Sequence, residues 1–171
     1  MAYRNQFDYS GENQISGETA ENLFESIAKK KNFSIQKASL RQQYSHIDFI
    51  LKNKDKTYLI DVKARKKISR HQKDFQDDLV WIEFKNVMGN VGWIYGSADF
   101  IAFEREKDFV LVARKNLVIL CEKMVKSERV SNPVDALYKI FSRKTRKDEL
   151  TLIKMQDIIS STKTYIWEKE Q

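Results

Sequence analysis

The stretch HIDFILKNKDKTYLIDVKA, residues 46–64, decides the fold. Two runs within it, 46–52 and 57–64, are rich in β-branched and aromatic residues, and the polar segment 53–56 separates them. Strand-forming runs joined by a few polar residues are typical of a β-hairpin with a short turn. The sequence therefore predicts two neighbouring antiparallel strands here.

The length of the turn does not alter the register of this hairpin. Whether the tip holds the two central residues of the polar segment or all four, Lys52 lies opposite Thr57. Counting back from that pair places Asp48 opposite Asp61. Side chains alternate along a strand, so Lys63 shares a face with Asp61. The register thus predicts two carboxylates and one ammonium group close together.

Both faces of the hairpin are otherwise apolar. The apolar residues are Phe49, Leu51, Tyr58, Ile60 and Val62 on one face, and Ile50 and Leu59 on the other. Strands that are apolar on both faces belong in the middle of a sheet that helices cover on each side. The predicted fold class is therefore α/β (α+β), with a central mixed β-sheet flanked by helices.

The other elements follow from periodicity. A helix with one apolar stripe is predicted from about Glu18 to Lys31, with Ser16 or Gly17 as its cap and Glu21 at the edge of the stripe. Further predicted elements are strands at 32–38, 79–85 and 150–155, a hairpin of 99–104 with 108–113, helices at 115–126 and 134–141, and a last helix or tail. The glycine-bearing segment 88–96 lacks the Gly-Lys-Ser/Thr ending of a phosphate loop, so it predicts a hairpin or bulged turn.

A length of 171 residues predicts a single domain, with a core at about 17–126 and a C-terminal extension at about 127–171. No segment approaches the roughly 20 apolar residues of a membrane span, and the N-terminus lacks the apolar run of a signal peptide. We therefore expect a cytoplasmic protein without a membrane partner. The single cysteine, Cys121, lies in an apolar run and is expected to be a buried structural thiol.

The charge distribution favours nucleic acid as a partner. The net charge is +7, and the segments 63–73 and 143–147 carry clustered cations without one acid. A merely solvated face usually mixes its signs, which is the alternative interpretation of such clusters. The residues predicted to contact nucleic acid are Arg65, Lys66, Lys67, Arg70, His71, Lys73, Arg143, Lys144, Arg146 and Lys147.

The opposed acids of the hairpin predict a metal site. Two carboxylates on adjacent strands repel each other, so a buried pair either shares a proton or holds a cation. With one cysteine and two histidines in the chain, the metal should be a hard, oxygen-ligated ion such as Mg²⁺, with Mn²⁺ as a substitute. Asp48 and Asp61 would be ligands, and the backbone carbonyl of Val62 a further one. The alternative is a structural salt bridge in which Lys63 neutralises one acid.

This constellation suits phosphodiester hydrolysis. A cation withdraws charge from the scissile phosphate and generates hydroxide near neutral pH. A lysine on the same face, Lys63, can position the attacking water or stabilise the charge that develops on the phosphate. The site alone implies no sequence specificity, because in-line attack on one phosphate requires no base recognition.

Glu21 on a first helix, Asp48 on a strand, and Asp61-Val62-Lys63 on the next strand together resemble the PD-(D/E)XK nuclease superfamily. The resemblance covers about residues 17 to 85 and departs from the motif at Ile47, where the family has proline. It implies an αβββαβ core and Mg²⁺-dependent cleavage of DNA. It also implies that Glu21 is a metal-site acid that orients a water bound to the metal.

The resemblance implies a biological setting as well. Small basic members serve as junction resolvases, phage nucleases or restriction-like enzymes, and many are homodimers. We therefore expect an endonuclease that acts on duplex or branched DNA in phage or bacterial recombination, repair or replication, inside a bacterial or phage-infected cell.

Three alternatives remain open from the sequence. Glu83-Phe84-Lys85 also fits the (D/E)-x-K pattern, with Asp61 as its upstream acid, although no tight hairpin sets that register. A catalytically inactive nuclease fold could bind nucleic acid only. An RNA-processing nuclease is the third alternative, and competition between duplex DNA and RNA would distinguish it.

Overall fold

The structure is a computed structural model that describes residues 11–69 and 71–170, so Arg70 of the predicted basic surface lies outside the described residues. Its helices are α1 (Glu12–Lys30), α2 (Leu40–Gln43), α3 (Arg114–Met124) and α4 (Met155–Ser161). Its strands are β1 (Ser34–Lys37), β2 (Phe49–Asn53), β3 (Lys56–Lys63), β4 (Leu79–Lys85), β5 (Phe100–Glu104), β6 (Asp108–Ala113), β7 (Arg129–Val130), β8 (Ile140–Phe141), β9 (Glu149–Lys154) and β10 (Thr164–Glu168).

The described chain divides into two compact units. The first unit comprises residues 11–65, 98–111 and 166–170, and the second comprises the described residues of 66–97 together with 112–165. The predicted C-terminal extension, 127–171, contributes β9 to one sheet and β10 to another. The prediction of a single domain stays a prediction.

A six-stranded sheet in the order β1-β2-β3-β5-β6-β10 is the basis of the first unit. Strands β1, β2 and β3 pair antiparallel, whereas β5 joins β3 in parallel. The sheet is therefore mixed, and the hairpin strand β3 lies between two partners. The predicted fold class, α/β (α+β) with a central mixed sheet, is confirmed.

The hairpin has the predicted register. Asn53 pairs with Lys56 across a two-residue tip, and Lys52 pairs with Thr57. Strand β2 begins at Phe49, three residues later than predicted, because His46 has a positive φ of 58° in the turn before it. Asp48 therefore lies just before the strand rather than within it.

Helix α1 covers one face of the hairpin. It begins at Glu12, six residues before the predicted start, and its cap is Gly11 with a φ of 72°, so the predicted caps lie inside the helix. Its buried residues and those of the sheet form one core cluster: Ala20, Phe24, Ile27, Ala28, Phe49, Leu51, Ile60, Val62, Ala102, Phe109 and Leu111. Because alternate side chains share a face, this is the face opposite to that of Asp61 and Lys63.

The order of elements departs from αβββαβ after β3. In the described part of the chain between β3 and β5 there are β4 and a 3₁₀ helix at Trp93–Tyr95, but no α-helix. β4 has the predicted bounds and pairs with β9 in a four-stranded sheet of the second unit, in the order β4-β9-β8-β7. The parallel step from β3 to β5 is thus made without the α-helix that the resemblance implied.

The predicted helix at 134–141 is wrong. The chain forms a 3₁₀ helix at Pro133–Asp135 and then β8, because backbone partners on β9 compete with helix formation. The Tyr138 N–H donates to the Leu152 carbonyl at 2.9 Å, and the Leu152 N–H donates to the Ala136 carbonyl at 3.0 Å. The last helix or tail is α4 followed by the strand β10. Within residues 11–69 and 71–170, no helix combines the length and apolar character needed to cross a membrane.

Gly92 marks a close approach of two backbone segments. Its N–H donates to the Phe84 carbonyl at 2.8 Å, and a Cβ added to Gly92 would lie 2.2 Å from the backbone oxygen of Glu83. A backbone oxygen at that distance has no side-chain freedom with which to move away. Gly17, in contrast, is inside α1, and an added Cβ would have no neighbour within 4 Å.

We predict that Gly92→Ala and Gly17→Ala change stability in opposite directions. Gly92→Ala should lower the free energy of unfolding by about 2–4 kcal/mol through the backbone clash. Gly17→Ala should raise it by about 1 kcal/mol, since alanine has the higher helix propensity. Urea denaturation of both variants measures the two effects, and a neutral Gly92→Ala would contradict the packing described here.

Candidate functional site

Asp61 is a buried acid with only half of its carboxylate satisfied. The residue is 2% exposed in the centre of β3. Its Oδ1 lies 2.6 Å from the Nζ of Lys63, whereas its Oδ2 has no hydrogen-bond partner. The contact with Lys63 is the ion pair expected by the structural alternative, but that contact leaves one buried oxygen unsatisfied.

Asp48 lies just before the first residue of β2, and its side chain does the hydrogen bonding that a further strand residue would do. Its backbone N–H donates to the Ile60 carbonyl at 2.8 Å, and its Oδ2 accepts a 2.7 Å hydrogen bond from the N–H of Val62. The side chain thus supplies the acceptor that a longer β2 would have provided from its backbone. Within a strand the N–H and C=O of one residue point to the same side, so the Val62 carbonyl also points towards the side of Asp48.

The two aspartates interact electrostatically. Burial raises the pKa of the Asp61 carboxyl well above its usual range, and the charge of Lys63 opposes that rise. The charge of Asp48 raises the pKa further, as does the hydrogen bond that a protonated Asp61 can donate to Asp48 and an ionised Asp61 cannot. A buried carboxyl whose proton affinity is raised by a neighbouring carboxylate is the setting in which a proton is shared or a cation is held. The predicted juxtaposition of Asp48 and Asp61 is therefore present.

Glu21, on helix α1, is coupled electrostatically to Asp48. It is half-buried, and burial, followed by the charge of Asp48, raises its pKa from 4.5 to about 7. Lys37 and Lys63 act in the opposite direction. Asp48, which lies just before β2, is therefore the acid of the pair that acts on Glu21.

Lys37 is a residue near the site that sequence analysis did not single out. It lies on β1 and pairs with Phe49, the residue after Asp48, while the Ala38 N–H donates to the Asp48 carbonyl at 2.8 Å. The signal that could have found it is the register of β1 against β2. A four-residue edge strand does not fix that register from sequence, because it carries no turn to count from.

The acids around Asp61 provide some, but not all, of the ligands that a metal ion needs. Among residues 11–69 and 71–170, no three His, Cys, Asp or Glu side chains form a group that could hold a metal ion. Two carboxylates with waters and substrate oxygens are nevertheless a common Mg²⁺ environment. The unsatisfied buried Oδ2 of Asp61, next to a second carboxylate, fits a cation that would occupy the space between them.

Asp148 provides a comparison within the same chain. It is 1% exposed and also has one buried oxygen, Oδ1, without a partner. Its other oxygen accepts two hydrogen bonds from the guanidinium of Arg143. An unsatisfied oxygen alone is therefore not diagnostic of a metal site, and the neighbouring carboxylate of Asp48 is what sets Asp61 apart.

The predicted nucleic-acid residues differ in their surroundings. Arg143 is engaged with Asp148, so its charge holds a buried acid. Lys67 lies with its Nζ 5.3 Å from the ring centroid of Phe75. The residues Lys66, His71, Lys73, Lys144 and Lys147 are exposed, and Arg65 and Arg146 are half-buried. Arg65 belongs to the first unit, and the others belong to the second.

The rival motif and the cysteine have other surroundings. Glu83 and Lys85 lie on β4, which is not a strand of the sheet that contains Asp61. The Nζ of Lys85 is 3.2 Å from Glu149 on β9. Cys121 is buried as predicted, and burial raises the pKa of its thiol to about 12. A thiol with that pKa is a poor nucleophile near neutral pH.

Comparison of the chain with models of protein families, with curated proteins and with solved structures gave no match. The geometry of the site is consequently the basis for any functional conclusion.

We predict that Glu21 makes stability depend on pH. A carboxyl whose pKa is raised by folding stabilises the protein below its ordinary pKa of 4.5, and that contribution is lost as the pH rises through about 7. After allowance for solvent screening, the loss should be about 1–2 kcal/mol. Glu21→Gln should remove it, so the variant should gain stability over the wild type between pH 5 and 8. Equal pH profiles from urea denaturation would contradict the coupling.

Proposed function

We propose that the protein is a metal-dependent DNA nuclease that hydrolyses phosphodiester bonds at the pair Asp48 and Asp61. The observation that carries the proposal is the buried, unsatisfied Oδ2 of Asp61 beside a second carboxylate. A fold that only needed an ion pair would be served by Lys63 and one acid. The second acid makes sense if a cation offsets the repulsion between the two.

Asp48 and Asp61 would hold Mg²⁺ or Mn²⁺, with the Val62 carbonyl as a further oxygen on the same side. Such a cation, when bound, withdraws charge from the phosphate and lowers the pKa of water. Asp61 would contribute the oxygen that Lys63 does not contact. Asp48 would contribute a carboxylate whose orientation is fixed by the 2.7 Å hydrogen bond from Val62.

Lys63 and Glu21 would act on the reacting groups. Water attacks phosphorus, the P–O bond to one sugar breaks, and the products are a phosphate monoester and a hydroxyl-ended strand. The ammonium of Lys63 would stabilise the charge that develops on the phosphate oxygens. A carboxyl with a pKa of about 7, such as that of Glu21, suits acceptance of the proton that the water loses.

The charge of the chain supports DNA as the substrate. Exposed lysines in 66–73 and 144–147 suit contact with phosphates, which gives affinity without sequence recognition. We place the enzyme with endonucleases that act on duplex or branched DNA in phage or bacterial recombination, repair or replication, with a homodimer as the proposed assembly. This setting rests on analogy with the PD-(D/E)XK superfamily.

We predict that supercoiled plasmid is nicked or linearised in Mg²⁺ or Mn²⁺ and left intact in EDTA. Asp61→Asn should reduce the cleavage rate at least ~100-fold, because it removes a ligand charge and leaves Lys63 without its acid. Agarose gels over a time course measure the rate. Four-way junctions and flaps, tested in the same way, establish the preferred substrate.

Glu104→Gln is the matched control. Glu104 is a half-buried acid of the same sheet whose Oε1 lies 2.8 Å from the Nζ of Lys169, so it loses the same charge from a comparable ion pair. It should retain cleavage. Equal loss in both variants, or cleavage that survives Asp61→Asn, would refute the proposed site. If the wild type binds DNA without cleaving it, the binding-only alternative is favoured. If it cleaves RNA and not DNA, the RNA-processing alternative is favoured.

A further inference from the structure

Two turns meet at one end of the four-stranded sheet in the second unit. One turn, 86–90, follows β4, and the other, 143–147, precedes β9. The backbone N–H of Lys147 donates to the Val87 carbonyl at 3.2 Å, which joins the two turns directly. We refer to these two segments as the turn pair.

The turn at 86–90 is closed by hydrogen bonds. The side-chain Oδ1 of Asn86 accepts hydrogen bonds from the N–H groups of Met88 and Asn90, both at 3.0 Å. Gly89 has a φ of 83°, and a Cβ added there would lie 3.2 Å from the Cβ and Cδ of Lys147. The aliphatic stem of Lys147 therefore packs over Gly89, while its residue remains exposed.

The turn at 143–147 is anchored from within. The Arg146 N–H donates to the Arg143 carbonyl at 3.1 Å, and the guanidinium of Arg143 binds the buried Asp148. Arg143 thus fixes the turn, and Lys144 is exposed at its tip. An anchored turn loses little conformational entropy when it binds a partner.

The charge of this surface is strongly positive. The segments 85–91 and 143–149 contain five cations and two acids, Asp148 and Glu149. Arg143 neutralises Asp148, while Glu149 lies 3.2 Å from Lys85 and 2.9 Å from Arg129. The acids are therefore already compensated, and the exposed lysines present uncompensated charge to an anionic partner.

Met88 adds an apolar side chain to the turn at 86–90. Met88 is 53% exposed at the tip of the first turn and precedes Gly89, over which the stem of Lys147 packs. A methionine in a cationic surface suits a partner that alternates phosphates with apolar edges. The deoxyribose of DNA presents such an edge, whereas the 2′-hydroxyl of RNA makes the same edge polar.

We propose that the turn pair binds the backbone of duplex DNA, with Lys144 and Lys147 on phosphates and Met88 on the deoxyribose between them, so that Met88 selects DNA over RNA. The proposal takes from the proposed function only that the partner is nucleic acid. In this proposal Arg143 has a structural role, and the uncharged Met88 determines the preference for DNA over RNA.

The test measures binding of the wild type to matched DNA and RNA duplexes in EDTA, by fluorescence anisotropy over a series of KCl concentrations. EDTA removes divalent cations, so the outcome is independent of the proposed metal site. Lys144→Ala combined with Lys147→Ala should weaken binding to both duplexes and reduce the slope of log K against log salt by about 2. Met88→Ser should weaken DNA binding about 10-fold, leave RNA binding unchanged and preserve the slope.

Lys52→Ala combined with Lys56→Ala is the control, because it removes two exposed lysines from the hairpin of the first unit. It should leave the salt slope unaltered. An equal reduction of the salt slope in the control would contradict the proposed binding surface, since it would show a general effect of net charge. Equal effects of Met88→Ser on DNA and RNA would overturn its selectivity. If the double lysine variant loses binding to phosphatidylserine vesicles but binds DNA like the wild type, DNA is not the partner of this surface.

Discussion

Burial of the Asp61 carboxylate beside Asp48 is the constraint on which the candidate site depends. Asp61 lies on β3, between β2 and β5, and its side chain is almost entirely buried. Lys63 satisfies one oxygen, and the unsatisfied one carries a desolvation cost of about 1–3 kcal/mol. A sheet that needed only cohesion would have an aliphatic residue there. The cost is intelligible if a ligand completes the coordination of that oxygen, which is the basis of the proposed metal site.

Asp48, next to the first residue of β2, contributes both to the backbone hydrogen bonding of the sheet and to the candidate site. Strand β2 begins only at Phe49, and the Asp48 side chain accepts the hydrogen bond from the N–H of Val62 that an earlier strand residue would have accepted. This hydrogen bond orients the carboxylate next to Asp61. Glu21, although carried by a helix on the opposite face, is coupled to Asp48 at the same strand end. The irregular strand end therefore couples Asp48 both to Asp61 on β3 and to Glu21 on α1.

The parts that sequence predicted are those set by local rules. The hairpin register followed from a short turn and from side-chain alternation, so the opposition of Asp48 and Asp61 could be counted. The helix at 134–141 could not be rejected, because the competing partners are backbone groups of β9 that are distant in sequence. Likewise, the pairing of Arg143 with Asp148 was hidden, since a basic run looks alike whether a cation faces solvent or a buried acid. Non-local pairing thus marks the limit of prediction.

The central claim is that Asp48 and Asp61 together bind a divalent cation, and calorimetric titration of Mn²⁺ tests it without nucleic acid or activity. The account predicts one saturable site per chain in the wild type and in Glu104→Gln, and binding at least ~10-fold weaker in Asp61→Asn. A wild type without saturable binding, or an Asp61→Asn variant with the affinity of the wild type, would contradict the claim. In either case Lys63 and Asp61 would be a structural ion pair.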